Sequence, residues 1–470
     1  MNRILVIIAA AAAVALSSCS GVKGLKQARL DMPESFSGYA AADSASIADM
    51  EWWRFYSDST LYHVLDRVVR NNHDLLASES RIEELRSLYG VRKANVLPQI
   101  GGNIYGNLET NNYSGSGTTR DPEHGLKIPV SWEVNLWGSL SWSRKEGKAL
   151  WLASEEDYRA LQVSLIAQAA ETYFRLVALA NELSIVRRTA ESRQESMRMA
   201  KIRFEGGLTS ETVYRQAMVE YSSAASLVPA LEQRFVATRN ALTLLMGEYP
   251  HEVEFDSRYS AVMSAPESLP VGLPSDLLKR RPDVRAAEQR LSAAMANAGF
   301  AYADRFPTFS IGLTPGFEND RLKDFFKSPF SYVVGSITGS VFDFGRKKKK
   351  YEAAVAAYDQ ARYKYEKAVV QAFTEVDTAI EAYGNVQESS KRMMDLRDAA
   401  AKYIQLAHLQ YRAGTLNYID VLDAERRYFD AQIAVSNAIR DEYLALVNLY
   451  RVLGGGWQTP DLPQVRPDGL

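Results

Sequence analysis

Asp420, Asp423 and Arg426 follow one another at three-residue steps, so on a helix they share one face. The two carboxylates can gather charge there, and the guanidinium can pair with Asp423 or with a neighbouring helix. Ordinary solvated first-turn charges, with Asp420 favoured by the helix dipole, account for the same pattern. Arg346-Lys347-Lys348-Lys349-Lys350 is a second charged group. Such a run reads as a nucleic-acid patch, but at a helix start it opposes the dipole and calls for a compensating anion. A membrane phosphate headgroup is one such anion. Catalytic chemistry has no candidates: there is no Ser/His/Asp set, no phosphate loop and no metal motif. Five histidines lie far apart, and Gly454-Gly455-Gly456 lacks the Lys-Ser/Thr of a phosphate loop. The chain is therefore expected to be no enzyme and to need no cofactor or metal.

The elements around these groups begin with export. Residues 1–18 carry Arg3 and an apolar run from Ile4 to Leu16, too short for a membrane span and typical of a signal peptide. Cys19 is the one cysteine, so an intramolecular disulfide is impossible in a compartment that permits them. Leu16-Ser17-Ser18-Cys19 looks like a lipobox, whose cysteine is acylated; an incidental cysteine near an ordinary cleavage site is the alternative. An exported chain of net charge −2 makes a nucleic-acid partner implausible.

The chain then repeats itself. Ala77-Ser78-Glu79-Ser80-Arg81-Ile82 through Leu97-Pro98 matches Ala286-Ala287-Glu288-Gln289-Arg290-Leu291 through Phe306-Pro307 at an offset of 209 residues. Leu136-Trp137-Gly138 and Gly207 match Asp343-Phe344-Gly345 and Gly414 at an offset of 207. A constant offset over most of the chain implies two copies of one unit. Each copy reads as helix, Pro break, two strands, a long helix, a Gly turn and a return helix. The expected boundaries are a tether at 19–57, repeat 1 at 58–247, a connector at 248–272, repeat 2 at 273–456 and a tail at 457–470. Asp58-Ser59 caps a helix running to about Val96, and Thr209-Ser210 caps the first return helix, which holds Pro229. Strands are expected at about 100–108 and 127–137, and at about 308–315 and 331–342, from period-two alternation. Four such strands cannot close a barrel alone, and lipid tolerates no open edge, so a membrane barrel requires several chains. Trp132 and Trp137 suit an interfacial girdle. Ser139 to Glu205 is free of proline, on the order of 100 Å of helix, and its apolar seam implies a bundle or coiled coil.

Trp132-Glu133-Val134-Asn135-Leu136-Trp137-Gly138, Arg280-Arg281-Pro282-Asp283, Val341-Phe342-Asp343-Phe344-Gly345-Arg346 and Gly454-Gly455-Gly456-Trp457 resemble the signatures of outer-membrane efflux lipoproteins of the NodT/OprM type, within the TolC-like family. The resemblance covers about residues 50 to 457. It implies a mainly α fold with a small membrane β part. It also implies a homotrimer forming a twelve-stranded barrel and a twelve-helix periplasmic tunnel. The implied partners are outer-membrane lipid, a periplasmic adaptor and an inner-membrane pump of the resistance-nodulation-division class. The subunit would be a passive, lipid-anchored duct. A duct for type I protein secretion shares the fold, and a lipid-anchored coiled-coil scaffold is the reading without a pore.

The resemblance also assigns roles. Asp420, Asp423, Arg426, Ile419 and Tyr411 would close the tunnel's periplasmic end, the carboxylates as rings in the trimer. Gly207 and Leu208, with Gly414 and Thr415, sit at turns that would meet the adaptor, although a turn needing glycine at positive φ explains the glycines equally. Thr212 and Gln216 stand where the second repeat has Ile419 and Asp423, so charge is concentrated in one hairpin.

Overall fold

The computed structural model describes residues 25–30, 33, 36, 46–49, 58–112, 115, 117–255, 270, 272 and 274–456. Cys19, the signal segment, most of the tether, the middle of the connector, Trp457 and the tail lie outside the described residues. The chain divides into two compact units.

Repeat 1 contains α1 (Ser59–Asn71), α2 (His73–Ala94), the strand segments β1 (Gln99–Ile100), β2 (Asn103–Asn111), β3 (Thr119–Lys127) and β4 (Val130–Val134), and the helices α3 (Ser139–Glu205) and α4 (Glu211–Leu245). Repeat 2 contains α5 (Leu277–Arg280), α6 (Pro282–Ala303), β5 (Thr308–Asn319), β6 (Pro329–Thr338), α7 (Arg346–Arg412) and α8 (Tyr418–Val452). The lengths correspond: α2 and α6 have 22 residues each, α3 and α7 have 67, and α4 and α8 have 35.

One helix expected from Asp58 to Val96 is two. Asn72 leaves the helical region (φ −62, ψ 125) and its Oδ1 accepts from the amides of Asp74 and Leu75, capping α2. Its Nδ2 donates to the carbonyl of Leu245 at the end of α4 (2.9 Å). Arg281 occupies the equivalent break between α5 and α6 (φ −78, ψ 114) and donates to the carbonyl of Val452 at the end of α8 (3.2 Å). Both carbonyls belong to the last turn of a return helix, where no intrahelical donor remains. Arg281 also binds Asp283 through two nitrogens (3.0 and 2.7 Å) and Glu375 on α7 (2.7 Å), and its side chain is 6% exposed. Burial alone would raise the Asp283 carboxyl, but the guanidinium holds it below the usual carboxylate range.

Two glycines complete the same junctions. Gly247 (φ +70) follows α4, and a Cβ there would meet the Asn71 carbonyl oxygen at 2.3 Å. Gly454 (φ +81) follows α8, and a Cβ there would lie 3.1 Å from the Arg280 carbonyl carbon. Leu61, Leu65, Val68, Tyr173, Leu176, Leu446 and Leu449 form the adjoining core. Each such aliphatic side chain contributes about 1.5–3 kcal/mol on burial. Asp58 ties α1 into it: Oδ1 accepts from the amides of Thr60 and Leu61, and Oδ2 accepts from the Tyr173 hydroxyl. The expected Thr209-Ser210 cap is only positional, because the side chain of Ser210 makes no capping bond.

The sheet is four antiparallel passes made of six segments. The first pass, β1 and β2, pairs with the second, β4 and β3; the second pairs along β5; and β5 pairs with β6. The second pass starts at Thr119, earlier than the expected Lys127, and ends at Val134 rather than 137. Its first half, Thr-Arg-Asp-Pro-Glu-His, has too few apolar residues to show the alternation. Asn135 ends it, with Oδ1 accepting from the Leu140 amide at the start of α3. Both passes are interrupted between their segments, at 101–102 and 128–129, where Pro129 has no N–H for the ladder and Gly101 donates to its carbonyl (2.8 Å). In repeat 2, β5 runs on to Asn319, and β6 spans Pro329–Thr338 instead of 331–342.

Candidate functional site

The register sorts the sheet's side chains onto two faces. Ile104, Leu108, Leu126, Val130, Trp132, Phe309, Ile311, Leu313, Phe317, Val333 and Ile337 fall on one. Among them Leu108, Val333, Ile337 and Ile104 are 65–79% exposed, so within the described residues nothing covers that face. The other face carries Asn103, Tyr105, Asn107, Asp121, Glu123, Lys127, Glu133, Ser310, Thr314 and Glu318. There the Tyr105 hydroxyl lies 2.7 Å from Glu123 and 2.8 Å from Glu318, and Lys127 pairs with Glu318 at 3.1 Å. Both outer passes are hydrogen-bonded on one side only among the described residues. Trp132 donates to the Val96 carbonyl (3.0 Å), and Trp137 donates to the Pro307 carbonyl (2.6 Å) and stacks on Phe306. Both indoles thus have a satisfied polar end where strand meets helix.

The α3–α4 and α7–α8 turns have one geometry. Gly207 (φ +72) and Gly414 (φ +75) are left-handed, Leu208 N donates to Arg203 O (2.8 Å), and Thr415 N donates to Gln410 O (3.0 Å). This Schellman closure needs glycine whatever the turn touches. Leu208 is exposed beside it, and the Thr415 hydroxyl returns to the Gln410 carbonyl.

The first turns of α8 sit on a small core of Val421, Ala424 and Ala407. Asp423 is half-buried and binds two guanidiniums of its own helix, Arg426 through Oδ1 and Arg427 through Oδ2, each at 2.7 Å. The Arg427 hydrogen bond, more than that of Arg426, holds its carboxyl below the usual range. Arg427 was not singled out from sequence, although the i,i+4 spacing from Asp423 offers it. Ile419 is exposed, and with Leu422, Asp423 and Arg426 it lines a groove of about 520 Å³ against Thr212 and Gln216 of α4. Tyr411 links helices: its hydroxyl accepts from Arg203 of α3 (3.1 Å), and its ring lies 5.6 Å from that of Tyr418. The structure gives Asp420 a place on this helix face but brings no ion-pair partner to it among the described residues.

Part of the compensation for the basic run lies within the chain. Asp343 accepts from the amides of Gly345 and Lys347 (both 3.1 Å) and so caps α7. Lys349 and Lys348 pair with Glu352 at 2.7 and 4.0 Å, and Lys347 Nζ donates to the Asp304 carbonyl. Val341, Phe342 and Phe344 are exposed beside them. No group of three or more potential metal ligands occurs among the described residues.

Comparison with known proteins agrees with this architecture. The family model "Outer membrane efflux protein" matches residues 64–248 and 273–455, one match per repeat. The solvent efflux pump outer membrane protein SrpC of Pseudomonas putida is 31% identical over 438 residues, covering 92% of this chain and 93% of its own. The cation efflux system protein CusC of Escherichia coli O6:H1 is 28% identical over 460 residues, covering 95% and 97%. The solved outer-membrane channel OprN superposes with a TM-score of 0.83 at 28% identity, covering 92% of this chain and all of that one.

Proposed function

The chain belongs to the outer membrane efflux protein family, channels rather than enzymes, and from that premise we propose that three copies form a passive duct through the outer membrane and periplasm. The observation that carries the reading is the sheet. Among the described residues one apolar face is uncovered, the opposite face carries most of the charged and hydroxyl side chains, and both edges are unpaired. In lipid an unpaired edge costs several kcal/mol per backbone group, so the sheet must close on other copies. Four passes and four long helices per chain give twelve strands and twelve helices in a trimer. An envelope scaffold without a pore has no use for such a face.

Cargo would arrive from a proton-driven inner-membrane pump of the resistance-nodulation-division class through a periplasmic adaptor. Relatives named for solvent and cation efflux favour small molecules or ions over secreted proteins. Asp420, Asp423 and Arg426, with Ile419 and Tyr411, would narrow the tunnel's periplasmic end. Leu208 and Thr415, with Gly207 and Gly414, would meet the adaptor. Cys19 would be acylated, and Arg346 and Lys347–Lys350 would face lipid headgroups at the barrel's periplasmic rim.

Native mass spectrometry in detergent tests the assembly, with a trimer expected. Because Cys19 is the one native cysteine, paired cysteines at β2 and β6 should cross-link chain to chain. A monomer with uncross-linkable edges would contradict the duct.

A further inference from the structure

Beyond Asp423, α8 turns a second carboxylate inward. Glu425, whose side chain is 19% exposed, lies 3.5 Å from Nε2 of His408 on α7. Arg193 of α3, 7% exposed, donates to the Glu220 carboxylate and to its backbone carbonyl on α4, each at 3.1 Å, and lies over the Phe429 ring. Each of the four long helices therefore contributes one charged or titratable side chain to one cluster. A cavity of about 270 Å³, lined by Arg188, Arg193, His408, Glu425, Tyr428 and Gln432, borders it and gives water and protons access to the carboxyl.

We propose that Arg193, Glu220, His408 and Glu425 form a proton-responsive clasp that draws α3, α4, α7 and α8 together on acidification and relaxes toward neutral pH. The inference rests on reading the start of α8 as the tunnel's periplasmic end. When ionised, Glu425 holds a charge in a poorly hydrated site near the like charge of Glu220. When protonated it loses both penalties, while Arg193 keeps its two bonds to Glu220. Arg188 and Arg193 face the site from α3, Glu220 from α4, His408 from α7, and Tyr418 and Tyr428 from α8 itself. Burial pushes the Glu425 carboxyl up, against the opposing charges of His408 and Arg193. A carboxyl raised in the packed state stabilises packing below its unfolded value, and that contribution is lost as pH rises through the raised one. The clasp is thus tightest in acid.

Two readouts test it on the full-length trimer as pH is lowered from neutral into the ordinary carboxylate range: thermal unfolding, and opening frequency in planar bilayers. Relative to Glu425→Gln, the wild type should gain Tm on acidification, and at the higher pH the Gln variant should be the more stable. Wild-type openings should become several-fold rarer in acid, and those of Glu425→Gln should be rare throughout. His408→Gln removes the imidazole that opposes the upward push of burial on Glu425 and should move the wild-type transition to higher pH. An identical pH response of Tm in wild type and Glu425→Gln, or an unmoved transition in His408→Gln, overturns the clasp. A Tm response without a change in opening would instead overturn the placement of the tunnel's end at the start of α8.

Discussion

The two repeats share a scaffold and differ in what they mount on it. The α3–α4 and α7–α8 hairpins have equal helix lengths, the same left-handed glycine turn and the same Schellman bond. Yet Val213, Gln216, Val219 and Glu220 stand in α4 where α8 has Asp420, Asp423, Arg426 and Arg427. The ends of the hairpins teach the converse. At the break before α2 and α6, Asn72 and Arg281 reach the corresponding carbonyls, Leu245 and Val452, with different chemistry. Backbone geometry has been kept through both copies, and side-chain charge has been free to diverge on it. At the breaks the ion pairs belong to repeat 2, through Arg281; at the hairpin ends each repeat has its own, Arg193 with Glu220 in repeat 1 and Arg426 and Arg427 with Asp423 in repeat 2.

That contrast can be broken first at the breaks. Arg281→Ala leaves Asp283, Glu375 and the Val452 carbonyl without their guanidinium and should cost about 3 kcal/mol. Asn72→Ala removes a cap and one bond to a carbonyl and should cost about 1 kcal/mol. Chemical unfolding of the purified protein checks the order, and equal losses would erase the asymmetry. Gly247→Ala and Gly454→Ala each force a Cβ into the left-handed region and should cost about 1–2 kcal/mol in thermal unfolding. Gly247→Ala should be the worse, because its Cβ meets a backbone oxygen at 2.3 Å.

The smallest effects sharpen the comparison at the tip. On the proposed gating role, the bonds of Asp423 to Arg427 and Arg426, which hold its carboxyl low, are fully present above the ordinary carboxylate range. They fade as pH falls through its depressed value, so opening should rise only in strong acid. Opening that rises steadily from neutral pH would assign the response to another group. Gln216→Ala, the mirror-image change in repeat 1, should leave opening nearly unchanged.

What the sequence revealed depended on range. The repeat, the long helices and the glycine turns are local and periodic, and the structure has them where periodicity puts them. The early half of the second β pass was hidden because Arg120, Pro122 and His124 occupy its apolar-face positions. The break at Asn72 carries neither proline nor glycine; only its capping side chain marks it. At the tip, Asp423 with Arg426 was readable from helical spacing. His408 and Glu425 lie on separate helices joined by a turn, and Arg193 meets Glu220 across another hairpin. No spacing rule reaches across a turn, so only packing displays that cluster.

The most direct test of the duct is single-channel conductance of the purified trimer in planar bilayers. Wild type should be compared with a variant carrying Asp423→Ala, Arg426→Ala and Arg427→Ala. Small or rare openings are expected from the wild type and large, frequent ones from the variant. Silence from both, with the trimer intact, would contradict a channel closed at its periplasmic end.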